Sequence, residues 1–186
     1  MAERLHRAHS GDRFLPVTPI RVSPLPAQAL LSRYADAGAY TDCFAAEIGR
    51  PVSQAKFVEA FYTSPAFMIE RMVLGLFLAK PFSHAQARQL AAGELSVVSA
   101  WRVEDRNASE LLMCDFLGRT RSWLMVAATS EQSTCLYFGS AVVPGKGLGR
   151  PVVAMVSKAL LGLHKLYSRV LLGSARRRLV RARELI

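Results

Sequence analysis

Leu95-Ser96-Val97-Val98-Ser99-Ala100-Trp101-Arg102-Val103 changes the hydrophobic rhythm of the chain. Before it the apolar residues recur at helical spacing; from it onward they recur every second residue, the period of a β-strand. Three further stretches keep that period: Ser109 to Phe116, Arg121 to Thr129 and Thr134 to Val143. The segments between them, Glu104 to Asn107, Leu117 to Thr120 and Ser130 to Ser133, are polar and of hairpin length. This pattern predicts four strands in an antiparallel meander. Pro151 then restores the helical period, with Val152, Val156, Leu160, Leu163, Tyr167 and Val170 close to one line. A meander with an apolar face must be covered, and this long helix is the available cover. The expected fold class is α+β: a curved antiparallel sheet packed on a long C-terminal helix.

Working outward toward the N-terminus, Phe14 to Pro24 holds three prolines and reads as an extended arm or edge strand. Ala27 to Ala35 reads as a short helix and Tyr40 to Ile48 as a strand. Ser53 is placed to cap a helix over Gln54 to Tyr62. Ser64-Pro65 opens another over Ala66 to Leu78, closed by Pro81, and residues 82–93 read as a polar connection with a turn at Gly93. At the other end, Gly173 is placed to interrupt the terminal helix. The domain reading is a loose tail over 1–13, one domain over 14–175 and a basic tail over 176–186. In Leu95 to Val103 and in Arg121 to Thr129 both alternations are apolar, so both faces of the sheet should be covered, the outer one by a second copy in a homodimer.

These elements resemble the helix-grip fold of START and polyketide-cyclase-like proteins. Ser64-Pro65-Ala66-Phe67-Met68-Ile69-Glu70-Arg71-Met72, Glu110-Leu111-Leu112-Met113-Cys114-Asp115 and His164-Lys165-Leu166-Tyr167-Ser168-Arg169-Val170-Leu171-Leu172, in that order, are similar to an uncharacterised bacterial family of this SRPBCC type. The likeness runs from about Tyr40 to the tail. It implies a cavity between sheet and helix, and no particular reaction, because folds of this kind host binders, carriers and enzymes alike. Relatives carry an acidic, histidine-containing turn in the central meander where this chain has Leu117-Gly118-Arg119-Thr120-Arg121-Ser122-Trp123, so an activity attached to that turn is not expected here.

The chain has 186 residues, 51% hydrophobic and 20% charged, which excludes a disordered protein. The longest apolar run, Met72 to Ala79, is far short of a membrane span. The first residues, Met1 to Arg7, lack the apolar core of a secretory signal, and cytoplasmic location is the expectation. The three cysteines, Cys43, Cys114 and Cys135, are far apart in apolar strings and read as small core residues. No zinc-type spacing, no HExxH and no GxSxG is present, so neither a metal nor a cofactor is expected.

Charge is distributed unevenly. Of a net +10, residues 144–186 contribute +9, from ten Lys/Arg and one acid. Arg119 and Arg121 on one hairpin and Lys146 and Arg150 in the glycine-rich loop 144–150 fall at the same end of the meander and would form a basic rim for an anionic group. Gly145-x-Gly147-x-Gly149 is not a phosphate-binding loop of the Walker type.

Asp115 lies in an apolar strand and, if it faces the cavity, is the candidate general base; its alternative is a strand-end carboxylate paired with Arg119 or Arg121. His164 and Tyr167, at i and i+3, share the sheet-facing stripe of the last helix. Trp101, Trp123 and Tyr137 are candidate walls for a ligand, with core packing as their alternative. The leading expectation is a binder of a hydrophobic or amphipathic small molecule between sheet and helix. One alternative is a cyclase-, dehydratase- or hydrolase-like enzyme using Asp115 with His164 or Tyr167. Another is a contact with an anionic membrane or a nucleic acid through Arg176, Arg177, Arg178, Arg181 and Arg183.

Overall fold

The computed structural model describes residues 18–68, 83–143 and 150–182, the span 150–164 as backbone only. The architecture is α+β and of the helix-grip kind: one curved antiparallel sheet of seven strands with the C-terminal helix on one face. In chain order the elements are β1 (Arg21–Val22), α1 (Ser32–Asp36), β2 (Tyr40–Ile48), α2 (Gln54–Tyr62), α3 (His84–Ala92), β3 (Val97–Val98), β4 (Trp101–Arg106), β5 (Glu110–Asp115), β6 (Thr120–Ser130), β7 (Ser133–Val142) and α4 (Arg150–Arg181). The sheet order is β1-β2-β7-β6-β5-β4-β3. The last four strands form the expected meander, and β2 joins it beside β7.

Local chemistry explains most boundaries. Ser53 caps α2 by accepting from the Lys56 N–H at 3.4 Å. The arm with three prolines becomes β1, a two-residue edge strand on β2. The stretch 82–93 differs from the expectation: its centre is helix α3, opened by a reciprocal capping box between Ser83 and Gln86 and closed by Gly93 at φ 86°. Its polarity reflects position, because α3 packs on α2 rather than on the sheet and buries only Ala87 and Leu90.

Leu95 to Val103 is not one strand. Ser99, at φ 52°, and Ala100 form a two-residue turn between β3 and β4. The apolar alternation runs straight through that turn and hides it. Conversely, Glu104-Asp105-Arg106 is not a turn. These residues continue β4, with a register shift between Val103 and Asp105, and the chain reverses at 107–109 instead. Asn107 organises that reversal, its Oδ1 accepting from the Ser109 N–H at 2.9 Å.

Helices α2 and α4 cover one face of the sheet. Phe57, Phe61, Leu171, Leu172, Ala175 and Leu179 meet Phe44, Leu111, Leu124, Leu136 and Phe138 in the main core. Gly173 does not interrupt α4. The helix runs through it, and a Cβ there would come within 3.0 Å of Ile20 Cδ1, where the N-terminal arm crosses the helix. Arg176 is buried beside that crossing and donates to the Thr18 carbonyl, so residues 174–179 belong to the folded core.

The opposite face carries a second core. Ala29 and Leu31 pack on Cys43, Leu112, Trp123 and Ala141, with Leu25, Leu30 and Tyr34 at the margin. The chain thus lays its own residues 25–34 over the outer face as a strap. The apolar character of both alternations, which motivated a homodimer, has its cause within one molecule.

Residues 1–13, the part of the expected helix after residue 68, the expected loop 144–150 up to residue 149 with Lys146, and Arg183 lie outside the described residues, as do the side chains of Arg150 and His164.

Candidate functional site

The strand register sorts the helix-facing side of the sheet into rows. Phe44, Phe138, Leu124 and Leu111 stand side by side and are sealed under α2 and α4. One row further toward the start of β2 are Asp42, Ser140, Ser122 and Met113. The next holds Tyr40, Val142 and Thr120. The covered face therefore changes from apolar to polar within two residues along β2, β7 and β6, while β5 stays apolar at Met113.

A cleft of about 210 Å³ opens at the polar end, between the β1–β2 edge and α4. Val22, Leu25 and Phe44 supply its apolar wall, and Tyr40, Asp42 and Lys165 its polar groups. Asp42 Oδ1 accepts from Ser140 Oγ at 2.7 Å and from the Ser140 N–H at 3.1 Å. The Tyr40 hydroxyl donates to Asp42 Oδ2 at 3.5 Å. Burial, and then the Asp42 charge, push the Tyr40 hydroxyl above its ordinary pKa, so Tyr40 stays a neutral donor. Arg169 of α4 lies over the Phe44 ring, 5.7 Å from its centre.

The expected site residues are spread over both faces. Asp115 stands on the helix-facing side at the end of β5, but its carboxylate belongs to the hairpin. Oδ1 accepts from the Arg119 N–H at 2.7 Å and the Thr120 N–H at 3.1 Å. This is the strand-end alternative, with backbone rather than guanidinium as partner. Tyr167 is half-buried on α4 and packs against the main core. Trp101 packs against the same core beside Asp115.

Trp123 and Tyr137 lie on the other side of the sheet, their ring centres 6.3 Å apart, with Trp123 fully buried under the strap. The three aromatic residues therefore do not share one wall. Arg119 is exposed in the β5–β6 turn, and its carbonyl accepts from the Val143 N–H at 2.8 Å. That bond puts the hairpin and Val143, just past β7, at one end of the sheet; Lys146 and the side chain of Arg150, the other expected members of the basic rim, lie outside the described residues. Arg121 points to the strap side and is engaged there.

That engagement is part of a polar layer which sequence reasoning missed. Arg121 Nε donates to Glu104 Oε2 and to the Tyr34 hydroxyl, both at 2.8 Å, and its guanidinium lies 4.6 Å from the Tyr34 ring centre. Arg33 bridges Glu104 at 3.4 Å and Asp105 at 3.2 Å. The Tyr34 hydroxyl also donates to Glu104. Burial raises the Tyr34 pKa, and the Glu104 bond raises it further against the opposing pull of Arg121. Deeper in, the buried Glu110 carboxylate accepts from Trp123 Nε1 at 2.7 Å, from the Leu30 N–H at 2.7 Å and from Asn107 Nδ2 at 2.9 Å. The cluster is closed on itself, and its chemistry is that of a clamp holding residues 30–34 on the sheet.

Asp42, Tyr40 and Lys165 were also missed as site residues. The available signal was an acid inside a strand pattern, the feature that drew attention to Asp115. Among the described residues no group of three metal-ligating side chains converges, and no helix is long and apolar enough to cross a membrane. No family model matches the chain, and no curated protein or solved structure matches it either.

Proposed function

We propose that the protein binds a small amphipathic molecule in the cleft between the β1–β2 edge and α4. The observation that carries this reading is the cleft itself, with an apolar wall of Val22, Leu25 and Phe44 and, facing into the same space, Asp42, Tyr40 and Lys165. Sites that bind small molecules combine these parts: apolar surface for affinity and a few placed polar groups for orientation. Its volume, about 210 Å³, is below the roughly 300–1,000 Å³ of pockets for drug-sized ligands. The occupant is a small molecule, or one end of a longer one.

Asp42 offers acceptors and Lys165 a cation, so the bound head presents both a donor and an acceptor. This refines the sequence-based expectation of an anionic head on an arginine rim, since Arg121 is committed to Glu104 and Tyr34. The binding is non-catalytic and takes place in the cytoplasm.

The test is retention. Native mass spectrometry of the protein purified from its own host is expected to show an adduct of fixed mass. Lys165→Glu and Asp42→Asn are each expected to lower its occupancy at least tenfold while the melting temperature moves by only a few degrees. An adduct that survives both substitutions undiminished, or no adduct together with no binding of the amphipathic dye ANS to the folded protein, would overturn the reading.

A further inference from the structure

We infer that the exposed face of α4 is a docking surface for an anionic lipid bilayer. From Arg150 to Ala182 the sequence contains no acidic residue. Lys165, Arg169, Arg177, Arg178 and Arg181 are all exposed, and among the described residues none of them forms an ion pair. Arg176, among the described side chains the one cation of this stretch turned inward, is held by the Thr18 carbonyl. Five of the ten cations of the C-terminal quarter are therefore displayed outward on α4.

Charge complementarity alone fits any polyanion. The apolar residues between the charges select among them. Leu166, Val170 and Val180 are 59%, 46% and 46% exposed. At about 100° per residue they fall with Arg177 and Arg181 into one arc of roughly 100°, centred opposite the buried line of Ser168, Leu171, Leu172, Ala175 and Leu179. Lys165 and Arg169 flank the arc on one side and Arg178 on the other.

Apolar residues interleaved with arginines and flanked by further cations fit a helix lying in a membrane interface. There the apolar side chains enter the headgroup boundary and the long cations reach phosphate. A nucleic acid would pair with the arginines and leave Leu166 and Val170 no role. The N-terminal arm crosses this face at Gly173, where Ile20 packs, and divides the exposed surface into 165–170 and 177–181. The surface adjoins the cleft and shares Lys165 with it, but none of its apolar residues lines that space, and the tested positions Leu166, Val170, Arg177, Arg178 and Arg181 lie outside it.

The experiment is co-sedimentation of the full chain with vesicles of phosphatidylcholine containing 30% phosphatidylglycerol, against pure phosphatidylcholine. Binding is expected to the anionic vesicles only. Arg177→Gln, Arg178→Gln and Arg181→Gln together should weaken partition about 100-fold, at about fivefold per charge. The corresponding Lys triple variant should retain it. Leu166→Ser with Val170→Ser should weaken it at least tenfold. All these positions are exposed, and unchanged circular dichroism verifies the fold. If the Gln triple variant fails to fold, the serine pair carries the test alone. Equal binding to both vesicle types, or no binding to either, overturns the proposal. So does full retention by the serine pair; salt-sensitive binding to single-stranded DNA that the same pair leaves unchanged would then assign the surface to nucleic acid.

Discussion

Two oxygens of Glu110 serve three donors, and that count decides what the residue tolerates. A glutamine has the same shape but only one acceptor oxygen, and its amide nitrogen would be set against the N–H of Trp123 and Leu30 or the Nδ2 of Asn107. Glu110→Gln is therefore expected to lower stability by about 2 kcal/mol, read as a shift of the urea midpoint, because buried hydrogen bonds to a charged group contribute about 1.5–3 kcal/mol each. Gly139 is similarly fixed. A Cβ there would lie 2.8 Å from the Asp42 carbonyl oxygen, 2.9 Å from Leu31 and 2.9 Å from Trp123. Gly139→Ala should cost roughly 1–3 kcal/mol through overpacking, most of it recovered by a second change, Leu31→Ala, only if the backbone contact can relax. Cys43, sealed beneath the strap, has its thiol pKa pushed from 9.0 up to about 12, first by burial and then by Asp42 and Cys135. Between these values the unfolded chain releases a proton that the folded one keeps. Stability must therefore fall as pH rises through that window, and Cys43→Ala should make the fall from pH 9 to pH 10.5 shallower in urea titrations. The burial of Cys43 was legible from its apolar string; the roles of Glu110 and Gly139 were not. Glu110 reads as the first residue of a strand, and its partner Leu30 is 80 positions away.

At the scale of elements, sequence was informative where a cap or a period marks an end and silent where it does not. β2 and α2 begin and end as expected, because Ser53 and the flanking glycine and proline punctuate them. Helix α3 was hidden because its short apolar line, Ala87 and Leu90, is too sparse to show a period, although Ser83 and Gln86 spell out its start. The β3–β4 turn was hidden for the opposite reason: Ser99 and Ala100 carry no turn chemistry. Gly173 shows how one residue type supports two readings. It is not a break in α4 but the place where Ile20 crosses, and only the crossing distinguishes them. The last turns of α4 are accordingly structural. Leu179→Ala should cost about 2–3 kcal/mol as a buried truncation. Its exposed neighbour Val180→Ala should stay within about 0.5 kcal/mol. Equal and small effects at both positions would mean that this end of the helix does not contribute to stability in solution.

Across the whole molecule the sheet is a shared middle layer, with helices on one side and a strap of some ten residues on the other. The apolar alternations on both sides were legible; which chain segment covers the outer one was not, since Leu25, Ala29, Leu30 and Leu31 carry no mark of the surface on which they pack. The candidate site was legible only in kind. An acid in a strand facing the last helix was anticipated at Asp115, where the carboxylate turns into its own hairpin, and overlooked at Asp42, where it lines a cleft. The neighbouring backbone separates the two. A tight turn directly after Asp115 draws its carboxylate onto the N–H groups of Arg119 and Thr120, whereas Asp42 lies mid-strand and accepts across the ladder, from the Ser140 N–H and hydroxyl, beside the cleft.

The placement of β2 beside β7 sets an order of events. Strands β4 to β7 each pair with the next in sequence, while β2 must wait for a partner on the far side of two helices and the entire meander. Closing so large a loop is entropically slow, so the transition state for folding should contain the meander and little of β2. In stopped-flow chevrons, Leu124→Ala is then expected to slow refolding, and Phe44→Leu mainly to hasten unfolding. The Asp42 cleft would be the last feature to form, and until β2 docks, the open edge of β7 is the part of the nascent molecule most exposed to pairing with another chain.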